Sequence, residues 1–345
     1  MDSGGVPRGR GDAARSEYDA DVDYVPPPHE RFVLCVGIEG FADRLQTLTN
    51  AIAYARAHRR TLIVDWDDAV WGDRFDRYFT VVGLRWLRAL PTALRDEASV
   101  WPPAWRGQLA RHGGDWVYGG AQQAALTFDW APHAERVAVV ANIGNRTHDM
   151  GELVAHVRAT HWLARRWAAR RAWLPQPRYA AVHLRGTDRA RSDRARDMVQ
   201  EGFDAALAAC AAADAVAVNT RARRPAVVVV ADNAEHDARW GAARPHDVRL
   251  WPRSVTARAS TPDEPPHKLT AEQLAARGTS KTVLNLEAIL DWFTLAGATH
   301  AYQTHALSLY AGMASRLRGH ARGVAVIMAG GTRPPPCAAD WIEAG

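Results

Sequence analysis

The sequence predicts an α/β chain of two packed units, each built on a parallel sheet. Three observations predict it. Short apolar runs bounded by glycine or polar residues occur in both halves, as in Phe32-Val33-Leu34-Cys35-Val36 and Ala226-Val227-Val228-Val229-Val230-Ala231. Segments with apolar residues at helical spacing stand between those runs, and such alternation is how parallel sheets are built. The length of 345 residues suits two domains of ordinary size.

Residues 1–30 are rich in Gly, Arg and Asp and end in Pro26-Pro27-Pro28, which predicts a disordered lead-in. A first domain is expected over 31–175. It opens with a buried strand at 31–37, followed by a helix carrying Leu45, Leu48, Ile52 and Ala55 on one face. Cations His58-Arg59-Arg60 suit the end of that helix, and 61–66 is a second buried strand. This is a βαβ unit with a right-handed crossover. Residues 67–175 hold nine tryptophans and read less clearly; a strand is expected at 137–141 and a helix over 150–171. Pro175 and Pro177 mark the boundary.

The second domain, 176–330, repeats the alternation. Strands are expected at 179–185, 226–232, 248–251, 300–303 and 324–328. Helices are expected at 198–218, from 283 with Val283, Leu286, Ile289, Leu290 and Phe293 in register, and from about Leu307. Residues 252–281 are expected to include a mobile loop, and 331–345 form a tail.

Composition excludes several classes. Hydrophobic residues at 47% and charged residues at 23% are ordinary globular usage, against fibrous or wholly disordered chains. The formal charge of +5 comes from dispersed basic residues, and no nucleic-acid module accompanies them. Of the 43 basic residues only Lys268 and Lys281 are lysines. The three cysteines, Cys35, Cys210 and Cys337, are too far apart for a zinc motif and odd in number, which argues against a disulfide framework. No run of eighteen apolar residues exists and no apolar leader is visible, so the expectation is a cytoplasmic protein without a membrane span.

Ligands of parallel sheets bind beyond the carboxyl ends of the strands. Four polar clusters fall there: Glu39-Gly40, His183 to Asp188, Asp232-Asn233 and Thr304-His305. In the second cluster Arg185 can offer a planar fork to phosphate oxygens, Gly186 admits a ligand close to the backbone, and Asp188 can orient a cation. The plainer reading is a strand-end salt bridge under a turn. Asp232 reads equally as a helix N-cap. Trp71, Trp101, Trp105 and Trp116 could stack on a sugar, but buried core is the commoner use of tryptophan. Gly37-x-x-Gly40 is not the dinucleotide fingerprint, which argues against an oxidoreductase.

His183-x-Arg185-x-x-Asp188 resembles the first motif of the fucosyltransferase superfamily, which includes nodulation, α1,6- and protein O-fucosyltransferases. Val228 to Asn233 is similar to its second motif, and Val283 through His305 to Leu317 to its third. Gly40-Phe41-Ala42-Asp43-Arg44-Leu45 is similar to its N-terminal glycine loop. The resemblance implies a GT-B-like architecture, two Rossmann-like domains facing across a cleft. It implies an inverting, metal-independent transfer, without cofactor, of fucose from GDP-fucose to the hydroxyl of a glycan or small molecule; the short chain without visible leader or span suits a bacterial-type enzyme. Arg185 then meets the donor diphosphate, and His183, Gly186, Asp188, Asp232, Thr304, His305 and Gly40 surround the donor. The base is open between Glu39 and Asp193. His305-Ala306 replaces a common serine pair, and Gly186 stands where many members carry arginine. A related transferase with another nucleotide sugar, or a non-catalytic binding protein of the same fold, is the alternative.

Overall fold

The computed structural model describes residues 17–37, 40–68, 70–110, 130–141, 150–175, 179–184, 226–231, 248–250, 269–298, 300–303, 309–317 and 324–326. The expected helix at 198–218 and the tail at 331–345 lie outside them. No helix among the described residues is long and apolar enough to cross a membrane.

The first described element is a short helix, α1 (Glu17–Val22), none of whose residues is fully buried. Here the structure differs from the expected lead-in. Arg88 holds this segment through Glu17 and Asp21, and Arg136 donates to the Pro26 and Pro27 carbonyls. The prolines and acids are tethered by arginines distant in sequence, which composition does not reveal.

Strand β1 (Phe32–Val36) is buried along its whole length, as an apolar run covered on both faces must be. Helix α2 (Phe41–His58) crosses over to β2 (Thr61–Asp65), which pairs in parallel with β1. Arg59 ends the helix in the left-handed conformation, its N–H capping the Ala55 and Arg56 carbonyls. Short strands β3 (Phe79–Val81), β4 (Trp86–Leu87) and β5 (Val100–Trp101) follow, then β6 (Val137–Val140). The first sheet runs β4-β2-β1-β6-β5, all parallel.

The stretch expected as one helix over 150–171 divides in three: α3 (Gly151–His156), β7 (Val157–Ala159) and α4 (His161–Trp173). Strand β7 pairs antiparallel with β3, and the Thr160 hydroxyl caps α4 by accepting from the Leu163 N–H at 3.3 Å. A strand partner some eighty residues away breaks the helix, and local spacing cannot register it.

The second sheet is built from β8 (Tyr179–Leu184), β9 (Ala226–Ala231) and β10 (Val248–Leu250), then β11 (His300–Gln303) and β12 (Val324–Val326). Its order is β10-β9-β8-β11-β12, again all parallel. Between β10 and β11 the structure places α5 (Ala271–Ala276), near the end of the segment expected to include a loop. Thr270 and Gln273 form a capping box at its start. Helix α6 (Lys281–Gly297) buries Ile289 and Leu290, whereas Val283 on the expected apolar face is 36% exposed. Helix α7 (Leu309–Arg316) follows β11.

Both halves share apolar packing. Phe41 of α2 meets Trp292 of α6 edge-on, with ring centroids 5.6 Å apart. Arg170 of α4 and Asp291 of α6 form a fully buried ion pair, and the Arg170 Nε also donates to the Thr294 hydroxyl at 3.3 Å. Leaving one partner of such a pair alone is costly, while replacing both by apolar groups is not. Asp291→Ala is therefore expected to lower stability by about 3–5 kcal/mol, and the double change Arg170→Met with Asp291→Leu to restore most of it. Urea denaturation checks this; equal losses in the two variants would refute it.

Candidate functional site

The second sheet has one place where successive connections leave in opposite directions. In the second sheet the chain steps from β8 outward to β9 and β10, then returns to β11 on the other side. The switch point lies between β8 and β11, and ligands of open parallel sheets settle beyond the carboxyl ends there. His183 pairs in register with Gln303 across this point and with Val230 on the other side. Arg185 is the residue after β8, Asp232 the residue after β9, and Thr304 the residue after β11. In the first sheet the chain steps from β1 outward to β2 and β4, crosses to the far edge at β5 and comes back to β6 beside β1, and Gly37 to Gly40 leads from β1 into α2. Three strand ends that the sequence singles out thus belong to adjacent strands β9, β8 and β11.

His183 and Gly40 are the sequence-predicted site residues within the described part. His183 is buried at 6% exposure, its ring 5.0 Å from that of Tyr310 on α7. The Tyr310 hydroxyl is itself tied to the Ala288 carbonyl of α6. Gly40 is the N-cap of α2, in extended conformation. A Cβ there would meet nothing nearer than Asp43 at 4.0 Å, so close packing does not demand this glycine. Arg185, Glu39, Asp193, Gly186, Asp188, Asp232, Thr304 and His305 lie outside the described residues.

What the sequence reading missed is the network just past β2. Arg44, on the first turn of α2, is completely buried and grips Asp68 with two hydrogen bonds of 2.7 and 2.9 Å. The guanidinium lies 5.8 Å from the Trp66 ring centroid and 5.3 Å from that of Trp71. Asp68 also accepts the Val70 and Trp71 N–H groups at 2.8 and 2.9 Å, which folds the chain into a tight turn. The same guanidinium explains Gly37. A Cβ at that position would come within 2.1 Å of the Arg44 Nη1, so the backbone leaving β1 passes where only glycine fits. The nearby Cys35 thiol is fully buried, which pushes its pKa up to about 12.

Five residues later Asp73 forms a second node. It accepts the Tyr78 and Thr282 hydroxyls, each at 2.7 Å, and the Arg74 N–H and Arg77 Nε, each at 2.8 Å. Burial pushes the Asp73 carboxyl up, but these hydrogen bonds together outweigh burial and hold it below its ordinary value. Asp67 is pushed up, first by burial and then by the neighbouring Asp65, Asp73 and Asp68. Tyr18 of α1 stands over this acidic turn, its phenol pushed up to about 12 by burial and by Asp65 and Asp67, with Arg74 opposing. Its ring lies 4.5 Å from the Arg74 guanidinium carbon. Among the described residues no cluster of three metal-ligating side chains forms. Trp71 and Trp105 are buried core, as expected of most of these tryptophans, and Trp101 stacks on His133 with centroids 3.6 Å apart.

No family model matches the chain, and no curated protein matches it. Solved structures do. Fucosyltransferase NodZ from Bradyrhizobium superposes with a TM-score of 0.55 at 18% identity, over 83% of this chain and 91% of that one. NodZ α-1,6-fucosyltransferase co-crystallised with GDP gives 0.53 at 17% identity, and the same enzyme soaked with GDP-fucose 0.53 at 16%, over the same shares. The chain has the fucosyltransferase-like fold. The likeness is one of fold, over 83% of the chain. Within the fucosyltransferase-like fold, the Arg44–Asp68 and Asp73 nodes brace the ground beside the first sheet's carboxyl edge.

The Asp73 node has a pH signature. A carboxyl held below its unfolded value contributes stability that is complete above the unfolded pKa and disappears as pH falls through the folded one. Asp73→Asn is expected to cost about 2–3 kcal/mol near pH 7. That difference from wild type should shrink on acidification below about pH 3.8, the ordinary value. Denaturant titrations of both proteins from pH 7 to pH 3 check it; a pH-independent gap contradicts the assignment.

Proposed function

We propose that the chain is a glycosyltransferase moving fucose from GDP-fucose to an acceptor hydroxyl, with inversion and without a metal. The observation that carries the reading is the coincidence at the second sheet's switch point. Strand β8, which carries His183 next to its last residue, is central there, the residues that follow it in the chain belong to the same motif, and the backbone matches a fucosyltransferase co-crystallised with GDP. The two sheets would face each other across a cleft, donor on the second and acceptor on the first.

The chemistry follows from charge. Breaking the sugar–phosphate bond leaves negative charge on the β-phosphate. A guanidinium already aimed at that charge stabilises the transition state by about 3–4 kcal/mol and takes over what a metal would otherwise supply. Arg185 is that group in this proposal. His183, buried against Tyr310, shapes the floor beneath it. Gly186 and Asp188, with Asp232, Thr304 and His305 from the neighbouring strand ends, line the donor. The acceptor hydroxyl loses its proton to Glu39, which belongs to the loop between β1 and α2, or to Asp193. Gly40 begins α2 beside that loop.

GDP release from GDP-fucose is the decisive measurement. Arg185→Ala should lower kcat at least about 100-fold, and retention of near-normal turnover would rule out the diphosphate role. Chelator treatment should leave turnover intact; abolition restored by a divalent cation would establish a metal-dependent mechanism instead. A protein that binds GDP, seen as a raised melting temperature, yet never releases fucose would fit the non-catalytic alternative.

A further inference from the structure

Arginine fills every basic position of this chain except two, and one exception is buried. Lys281, the first residue of α6, is 6% exposed. Its Nζ donates to the Val70 carbonyl at 2.6 Å. Its stem runs beneath Gly72, which takes a left-handed φ of +59°, and a Cβ on Gly72 would stand 2.9 Å from the Lys281 Cγ. The next residues of α6 bind the same turn: Thr282 donates to Asp73 at 2.7 Å, and the Asn285 amide donates to the Trp71 carbonyl at 2.9 Å. The turn in question, residues 66–78, is the one folded around Asp68 and gripped by Arg44. A slim alkyl stem with a compact ammonium fits this slot, whereas a planar guanidinium at the end of a longer side chain does not.

We propose that Lys281 is a positioning residue: it clamps the turn following β2 onto the start of α6, so that the second half of the chain fixes the backbone beside the first sheet's carboxyl edge. Its effect on turnover rests on the transferase reading above; the clamp itself does not. Among the described residues, the charged groups facing the ammonium are Asp68 and Arg44, across the turn and from α2. Burial is the largest influence on Lys281 and lowers its pKa to about 8, with Asp68 opposing and Arg44 reinforcing. When the turn opens, the amine returns to water and towards its ordinary value of 10.5. The open state therefore binds more protons between these two values, and the closed clamp gains on it as pH rises through that window.

Hydrogen exchange on the full chain tests the clamp. In Lys281→Met, which keeps most of the stem and loses the donor, amides of residues 66–78 should exchange at least about tenfold faster, while those of β1 and β2 stay unchanged. Lys281→Arg should not rescue them, although it keeps the charge. Unchanged exchange in the methionine variant, or full protection in the arginine variant, overturns the clamp. Wild type alone supplies a further arm that needs no variant to fold. After correction for intrinsic exchange, protection of residues 66–78 should rise from pH 8 to pH 10 by up to about tenfold per unit. A flat profile refutes the proposal. With GDP-fucose as probe, Lys281→Met should keep its GDP dissociation constant within about twofold while kcat falls at least about tenfold. A parallel loss of GDP affinity would make Lys281 a donor-site group instead. Wild type that neither binds GDP nor turns over GDP-fucose defeats the transferase reading, and the exchange arms then decide the clamp by themselves.

Discussion

The structure around the first sheet depends on one buried ion pair. Arg44 and Asp68 are wholly removed from water and joined by two short hydrogen bonds. Two charges in such a place persist only when every lone pair and proton is answered. Asp68 helps to meet that demand by also accepting two backbone N–H groups, and two indole rings lie against the Arg44 guanidinium. The requirement then spreads outward. It forces glycine at 37, holds the turn after β2, and gives α6 of the second half a fixed surface to bind. Electrostatic necessity at one point thereby becomes shape over several elements.

The two sheets solve a common problem in the same way. Each is parallel and five strands wide, and in each the chain steps outward from the central strand before crossing to the other side. In the proposed transferase this symmetry has a division of labour. The carboxyl edge of one sheet meets the diphosphate leaving group and that of the other the incoming hydroxyl. The network linking α6 to the turn after β2 runs between the elements that carry those two tasks.

The major strands and α2 were legible because their signals are local. β1, β2, β6, β8 and β9 are runs of apolar residues that need no partner to be recognised. The division of 150–171 was not legible, because β7 exists through its pairing with β3 and Thr160 supplies a stop signal only one residue long. The order at Glu17 to Glu30 was hidden for a similar reason: its partners Arg85, Arg88 and Arg136 lie more than fifty residues on. Of the candidate site, the strands that lead into the motifs could be placed from local pattern. Asp68, Asp73 and Lys281 could not, since a carboxylate after a strand looks like an N-cap or a surface charge until its partners converge. The rarity of lysine was the available hint, and it acquires meaning only beside the buried slot.

Trp71 occupies the middle of that network. Its N–H donates to Asp68, its carbonyl accepts from Asn285, and its ring lies against Phe41 and the Arg44 guanidinium. An indole in dry, charged surroundings emits light of a different colour and intensity from one in water. The junction between the halves of this protein therefore carries its own lamp, and any event that loosens the junction changes what the lamp shows.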